Sequence, residues 1–416
     1  MNSSYIESLH VKHVRKFSEI NVSFNKGFNF LAGPNGCGKT SILACISHCF
    51  HHGNFAYSRF EDESEFWTDI NDNNEFYRVG LGPNSVKAGA YRQSAGYFWN
   101  VPTQVENRTS LNVIDANNKL KSFCPLFIGA NRSIKYKQIS GMSREQPLDQ
   151  KISTYISNST KSLYGDWNSD IKQWLVNRYF MIDKDWAIEE KANWEHLVTC
   201  LPSIGPFESE FSFVRIGKDL EPVFSIYGNE CYLEELSSGF QAVLSIISNI
   251  FEWVEGSRVD GDRIVQKASG TVLIDELDLH LHPEWQFTIR DSLERIFPSI
   301  QFIVTTHSPH LLSSAREKEV IVMPINENNS YDLKPSEHMY SGWNTDQILS
   351  EIMGVKSLEN KLYEELVAAA LQQIDNNSVQ GLKSAIAKLT EVCHPSDSIV
   401  TVLKTRLASM VALQDD

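Results

Sequence analysis

The chain has 416 residues, 42% of them hydrophobic, enough for a sizeable core and for two or three domains. Its 52 acids against 38 lysines and arginines give a formal charge of -14, the reverse of what a general polyanion binder shows, so composition lends nucleic acid as a partner no support beyond a local patch. The 7 cysteines are scattered without a Cys-x-x-Cys pair, the first residues lack a secretory apolar run, and no stretch approaches ~18 uninterrupted apolar residues. A reducing cytoplasm fits these features, and a membrane does not.

In chain order, the N-terminus reads as strand, turn, strand. Ile6, Leu9, Val11 and Val14 mix with polar residues, and Ile20, Val22 and Phe24 alternate cleanly. After a turn at Lys26-Gly27, Phe28, Phe30 and Leu31 predict a short apolar strand ending at a glycine loop, and SILACISHCF predicts a helix. Residues 51–120, rich in Asn, Asp, Gly and aromatics, predict short strands and loops, and Leu126 to Ile128 a buried strand. Between about 138 and 205 the character changes. A polar loop, ISGMSREQPLDQKIS, leads to two runs with helical spacing and aromatic anchors, DWNSDIKQWLVNRYFMI and DWAIEEKANWEHLVTCL, without sustained heptads. FSFVRIGKDLEPVFSIYGNECYL returns to strands with turns at Gly217 and Gly228, and a helix follows from Gly239 to about Val254. TVLIDE predicts a strand, EWQFTIRDSLERIF a helix, and QFIVTTHS and EVIVMPI two more strands. This order argues for a layered α/β sheet. From about Thr345 the chain is mainly helical, with SLENKLYEELVAAALQQI and GLKSAIAKLTEV amphipathic. The expected division is a first lobe at 1–137, a helical insertion at 138–208, a second lobe at 209–330 and a mainly helical C-terminal region at 331–416.

The chemistry concentrates in four places. GPNGCGKT (Gly33, Pro34, Asn35, Gly36, Cys37, Gly38, Lys39, Thr40), followed by Ser41, matches G-x-x-x-x-G-K-[ST] between a strand and a helix. Its glycines let backbone N–H groups turn around phosphate oxygens, Lys39 reaches the β- and γ-phosphates of a nucleotide, and Thr40 offers a hydroxyl to Mg²⁺. Asp275, ending the strand Val272-Leu273-Ile274, is the second candidate metal ligand. Glu276, one residue on, is the candidate general base or water positioner. His307, just past the strand Phe302–Thr305, is placed to sense the γ-phosphate or the attacking water. In LSSGFQ, Ser237 and Gly239 precede an apolar helix; Ser237 is a candidate cap, and the helix start is a second anion site. CISHCFHH, from Cys45 to His52, invites a metal reading, but Cys45 and Cys49 share a helix face one turn apart that is normally core, and Mg²⁺ is the metal expected. Arg15, in the N-terminal strand pair, is open between a surface residue and one that approaches phosphate.

The phosphate loop, LSSGFQ, LIDE and THS, in that order, resemble the ATP-binding-cassette (ABC) ATPase heads of the SMC, Rad50 and RecF group. DELDLHLHPEWQ, TTHSPHLL and GWNTDQILSEIMGV (Gly342 to Val355) look similar to the AAA-type ATPases of bacterial anti-phage systems: OLD nucleases, Septu and retron-associated ATPases. The resemblance covers about 1–130 and 210–325. It implies an α/β P-loop NTPase with a two-lobed ABC-type head, and a homodimer sandwiching two ATP molecules. Gly33, Gly36, Gly38, Lys39, Thr40, Asp275, Glu276 and His307 would act from one copy, and Ser237 and Gly239 from the other. It also implies a glutamine contacting Mg²⁺, for which Gln138 is the candidate, with Arg132 as an alternative charged residue of that loop. The long coiled-coil arms of SMC and Rad50 proteins have no counterpart, and no strand followed by nuclease acids appears after Ile325, so a nuclease would be a separate polypeptide. The expected function is an ATP-driven dimeric switch in anti-phage defence controlling an effector nuclease. A DNA-repair or DNA-maintenance ATPase clamping DNA is the alternative; a transporter subunit and a non-catalytic scaffold are further readings.

Overall fold

The computed structural model describes residues 3–88, 96–120, 123, 125–165, 170–324, 330–356 and 360–412. It divides into two compact units, Met1–Gly354 and Val355–Asp416. The first residues of two predicted helices, 166–169 and 357–359, lie outside the described residues.

Five short apolar strands form a parallel sheet in the order Val320–Val322, Phe28–Ala32, Ile300–Thr305, Gly270–Ile274, Leu126–Ile128. Such strands are buried on both faces, which is why they read as unbroken Val, Ile, Leu and Phe rather than as alternation. Side chains still alternate across the sheet. Phe28, Phe30, Val272, Ile274, Phe302 and Val304 enter one core, and Leu31, Phe127, Leu273, Ile303 and Ile321 enter the other. The first core is completed by the helix Ser238–Ser257 and by the helices Ile171–Met181 and Ile188–Ile204. The second is completed by the helix Lys39–Phe50 and by an antiparallel-rich sheet in which Ser4–Val14 pairs with Phe17–Ser23 and Phe60–Asp72.

One polar side chain ties the two sheets together. The fully buried Gln301 accepts from Ile6 N at 2.9 Å and from Thr271 Oγ1 at 2.7 Å, and donates to Ile6 O at 2.7 Å and Asn25 O at 2.6 Å. Every hydrogen-bonding direction of its amide is used, so its burial carries no desolvation penalty left unpaired.

Segment 138–208 holds the helices Leu148–Leu163, Ile171–Met181 and Ile188–Ile204. Its anchor is Glu255 on the helix Ser238–Ser257. Its carboxylate accepts from Trp174 Nε1 (3.0 Å), Arg178 Nε (2.5 Å) and Asn193 Nδ2 (3.0 Å). The predicted helix EWQFTIRDSLERIF is two pieces, Pro283–Gln286 and Ile289–Ile296, broken where Thr288 N bonds back to Trp285 O at 3.1 Å. The second unit contains the helices Lys361–Asp375, Val379–Val392 and Ser398–Ala412, around Ala370, Leu382, Ile386, Leu389, Leu403 and Met410.

Candidate nucleotide-binding and hydrolytic site

The chemistry-bearing residues gather where the parallel strands end. The phosphate loop leaves Phe28–Ala32, Asp275 and Glu276 follow Gly270–Ile274, Thr306 and His307 follow Ile300–Thr305, and Gly129 to Arg132 follow Leu126–Ile128. Ligands of open parallel sheets bind at this carboxyl edge.

Gly33, Gly36 and Gly38 have φ of 147°, 76° and 104°, a sequence of turns that L side chains resist. A Cβ on Gly38 would lie 2.8 Å from Phe17 Cζ, whereas Gly36 faces open space. Gly38 caps the helix Lys39–Phe50 without a side-chain hydrogen bond, so the first-turn N–H groups point into the loop as anion donors. Lys39 is buried, with Nζ donating to Gly33 O (2.8 Å) and Pro34 O (3.0 Å); burial lowers its pKa against the pull of Cys37, Asp278 and Asp275. Asn35 is exposed and Cys37 buried against the same loop.

The N-terminal hairpin turn brings two cations to this loop. Arg15 Nη1 donates to Ser41 Oγ at 3.3 Å, and Lys16 Nζ donates to Gly36 O at 2.7 Å. Arg15 is therefore no mere surface residue. Lys16 was not singled out by sequence reasoning, although it sits beside Arg15 in the same turn.

The strand order does further work. Ile300–Thr305 lies between the phosphate-loop strand and the Asp275 strand, so Thr305 faces Asp275 directly. Thr40 Oγ1 donates to Asp275 Oδ1 at 2.9 Å, and Thr305 Oγ1 donates to the same oxygen at 2.6 Å. A hydroxyl and a carboxylate at hydrogen-bonding distance are the hard oxygen donors that suit Mg²⁺, and the glycine cradle and helix start suit its phosphates; the residues fit both groups. Glu276 has φ of 51°. Its N–H donates to Thr305 Oγ1 at 2.7 Å and its carbonyl accepts from Arg132 Nη2 at 3.0 Å. Arg132 is 2% exposed; it also donates to Asp275 O and, through Nε, to Gly129 O at 3.1 Å. Burial pushes its pKa down to about 10, still well above neutrality, with Asp275, Asp278 and Glu276 favouring the charge.

His307 is exposed. Asp278 fixes its backbone, accepting from Thr306 Oγ1 at 2.7 Å and from His307 N at 3.1 Å. His282 caps the helix beginning at Pro283, its Nδ1 accepting from Glu284 N at 3.4 Å, and the His280 carbonyl lies 3.0 Å from where a Cβ on Gly239 would stand. Ser237 occupies the N-cap position of the helix Ser238–Ser257, but its hydroxyl makes no capping bond, contrary to the expected cap. Ser237 and Gly239 make no hydrogen bond to the phosphate loop among the described residues. Gln241, the last residue of LSSGFQ, holds the carbonyls of Glu234 (3.1 Å) and Leu236 (2.9 Å) and accepts from Ile134 N at 3.0 Å. Gln138 is exposed four residues further on. Cys45 and Cys49 are buried in core, and burial together with the Arg15 charge pushes His48 down to about 3, so it is neutral against Ser58 Oγ at 2.7 Å.

Two AAA-domain profiles match the chain: "AAA domain" over residues 8–196, and "AAA domain, putative AbiEii toxin, Type IV TA system" over 222–313. The Septu protein PtuA of Bacillus thuringiensis is 28% identical over 411 residues, spanning 97% of this chain and 98% of that protein. The Retron Ec83 probable ATPase of Escherichia coli is 44% identical over 158 residues, 37% of this chain and 27% of that protein. Among solved structures, the SMC head domain from Thermotoga maritima aligns at a TM-score of 0.45 with 13% identity, covering 80% of this chain and all of that one. The parallel strand order and the phosphate loop define an ATPase of the P-loop class. Within that class, the chain is similar to the Septu protein PtuA along nearly its whole length and to the retron ATPase over a shorter stretch.

Proposed function

We propose that the protein is an ATP-driven dimeric switch of anti-phage defence, acting in the cytoplasm on a separate effector nuclease. The observation that carries the ATP-hydrolysing part is the Thr40–Asp275–Thr305 cluster, with Glu276 turned off the end of the same strand. Gly33 to Ser41 would cradle the phosphates, with Lys39 neutralising the β- and γ-phosphates. Thr40 and Asp275 would hold Mg²⁺, which supplies charge neutralisation on the phosphates when bound. Glu276 orients the attacking water and accepts its proton, and His307 lies within the same edge to contact the γ-phosphate. Ser237 and Gly239, apart from the phosphate loop in their own chain, would serve the nucleotide of a second copy; the uncommitted Ser237 hydroxyl supports this.

The test compares wild type with Glu276→Gln. The substitution should retain ATP binding, lower turnover by roughly 10²–10⁴-fold, and accumulate an ATP-dependent dimer by light scattering. Turnover at the wild-type rate would sink the hydrolytic assignment. A monomer at saturating ATP would sink the switch. In cells, Lys39→Ala should abolish protection against phage, and Glu276→Gln should co-purify with a nuclease; unchanged survival and no companion protein would overturn the defence reading.

A further inference from the structure

Glu276 is a non-glycine residue at φ of 51° in a strand-to-loop turn. Such a conformation is strained for a residue with a side chain and persists only where the surroundings impose it. Three hydrogen bonds, made by two side chains, do so here. Thr305 takes the Glu276 N–H, and a single nitrogen of Arg132 donates to the carbonyls of both Asp275 and Glu276. Arg132 is itself seated by its Nε on Gly129 O, and its loop is pinned two residues later, where Ile134 N donates to Gln241. An arginine buried this deeply is costly unless carboxylates and acceptors surround it, and all its bonds described here go to backbone carbonyls. The fork therefore acts on the direction of the chain at 275 and 276.

We propose that Arg132 is a positioning residue for hydrolysis: by clamping the Asp275 and Glu276 carbonyls it fixes the left-handed turn that directs the Glu276 carboxylate. The inference rests on Glu276 acting as base or water positioner. In a site of this kind a misplacement of about 1 Å costs on the order of 10²-fold in rate. Lysine keeps the charge but lacks a planar fork that can meet two carbonyls while holding a third.

The experiment measures kcat, KM and nucleotide affinity for wild type, Arg132→Lys, Arg132→Gln and Glu276→Gln, and for Arg132→Lys combined with Glu276→Gln, with a thermal melt of each. Arg132→Lys should lower kcat by roughly 10–10²-fold with nucleotide affinity changed less than about threefold. In the Glu276→Gln background it should add no further loss, since two changes acting through one group are not additive. Arg132→Gln, which keeps an uncharged donor, covers the case in which the lysine variant melts early. Wild-type kcat in a folded Arg132→Lys or Arg132→Gln protein overturns the inference, as does a full additional loss on the Glu276→Gln background. If Glu276→Gln itself turns over normally, the underlying hydrolytic reading fails, and the inference with it.

Discussion

At the scale of single residues, the glycines of the phosphate loop separate by what surrounds them. Gly38 combines φ of 104° with a Cβ position 2.8 Å from the Phe17 ring and 3.1 Å from the Lys16 side chain. Gly38→Ala should cost about 1–3 kcal/mol in stability and weaken nucleotide binding by at least about tenfold, read by a melt and a nucleotide titration. Gly36 has φ of 76° but open space, so Gly36→Ala should carry only the conformational cost, about 1–2 kcal/mol. Equal effects at the two positions would show that sterics at Phe17 do not matter. The loop, Asp275 and Glu276 were legible in the sequence because each is a local pattern, a glycine spacing or an acid ending an apolar run. Arg132 as a brace was not: its partners lie 143 and 144 residues away, and nothing local marks Glu276 as left-handed. The family resemblance implies Gln138 as the magnesium glutamine, while the glutamine tied into this network is Gln241.

Among elements, the helices of 138–208 are held to the helix Ser238–Ser257 by one buried carboxylate. Glu255→Ala would remove the more deeply buried of the two carboxylates paired with Arg178 and the acceptor of Trp174 and Asn193, a loss of about 3 kcal/mol or more; a Tm close to wild type would show that packing alone docks these helices. Arg178 also bonds Glu145 at 2.5 Å. Burial works to raise the Glu145 pKa, but Arg178 and Lys151 overcome it and hold the carboxyl at about 2 against an ordinary 4.5. The folded value lies below the unfolded one, so the stabilisation is present above about 4.5 and is lost as pH falls toward 2. Stability measured between pH 6 and 2.5 should fall less steeply for Glu145→Gln than for wild type. Parallel slopes would remove Glu145 from the acid response. The strands were read well from apolar runs. The break in EWQFTIRDSLERIF was not, because it is set by a backbone turn at Thr288 and by the seating of Trp285 against Ile204, neither of which alters the apolar spacing.

For the molecule as a whole, charge gives a way to separate the two families of function. Two copies each carrying -14 repel, and salt screens that repulsion. ATP-dependent dimerisation of Glu276→Gln should therefore strengthen, or at least hold, between 50 and 200 mM salt. A DNA clamp would instead lose affinity over the same range through counterion release. The outcome is read by light scattering for the dimer and by a duplex titration for DNA, and binding that collapses with salt would favour the clamp. Both cores of the first unit end by Met353, and the second unit has a core of its own. A chain stopped at Gly354 should thus melt cooperatively and still bind ATP; an unfolded product would show that the first unit depends on the second.

The strand order also has a consequence for synthesis. The phosphate-loop strand, Phe28–Ala32, leaves the ribosome early, yet its two neighbours in the sheet are Ile300–Thr305 and Val320–Val322. At about 5–20 residues per second that strand waits many seconds with both edges unpaired, during which its apolar run is a ready target for chaperones or for another nascent chain. Thr305 reaches Asp275 only when the same late strand inserts between the other two. A product stalled before Thr305 therefore lacks this contact, so the Thr40–Asp275–Thr305 cluster forms only once the strand Ile300–Thr305 has been made and inserted.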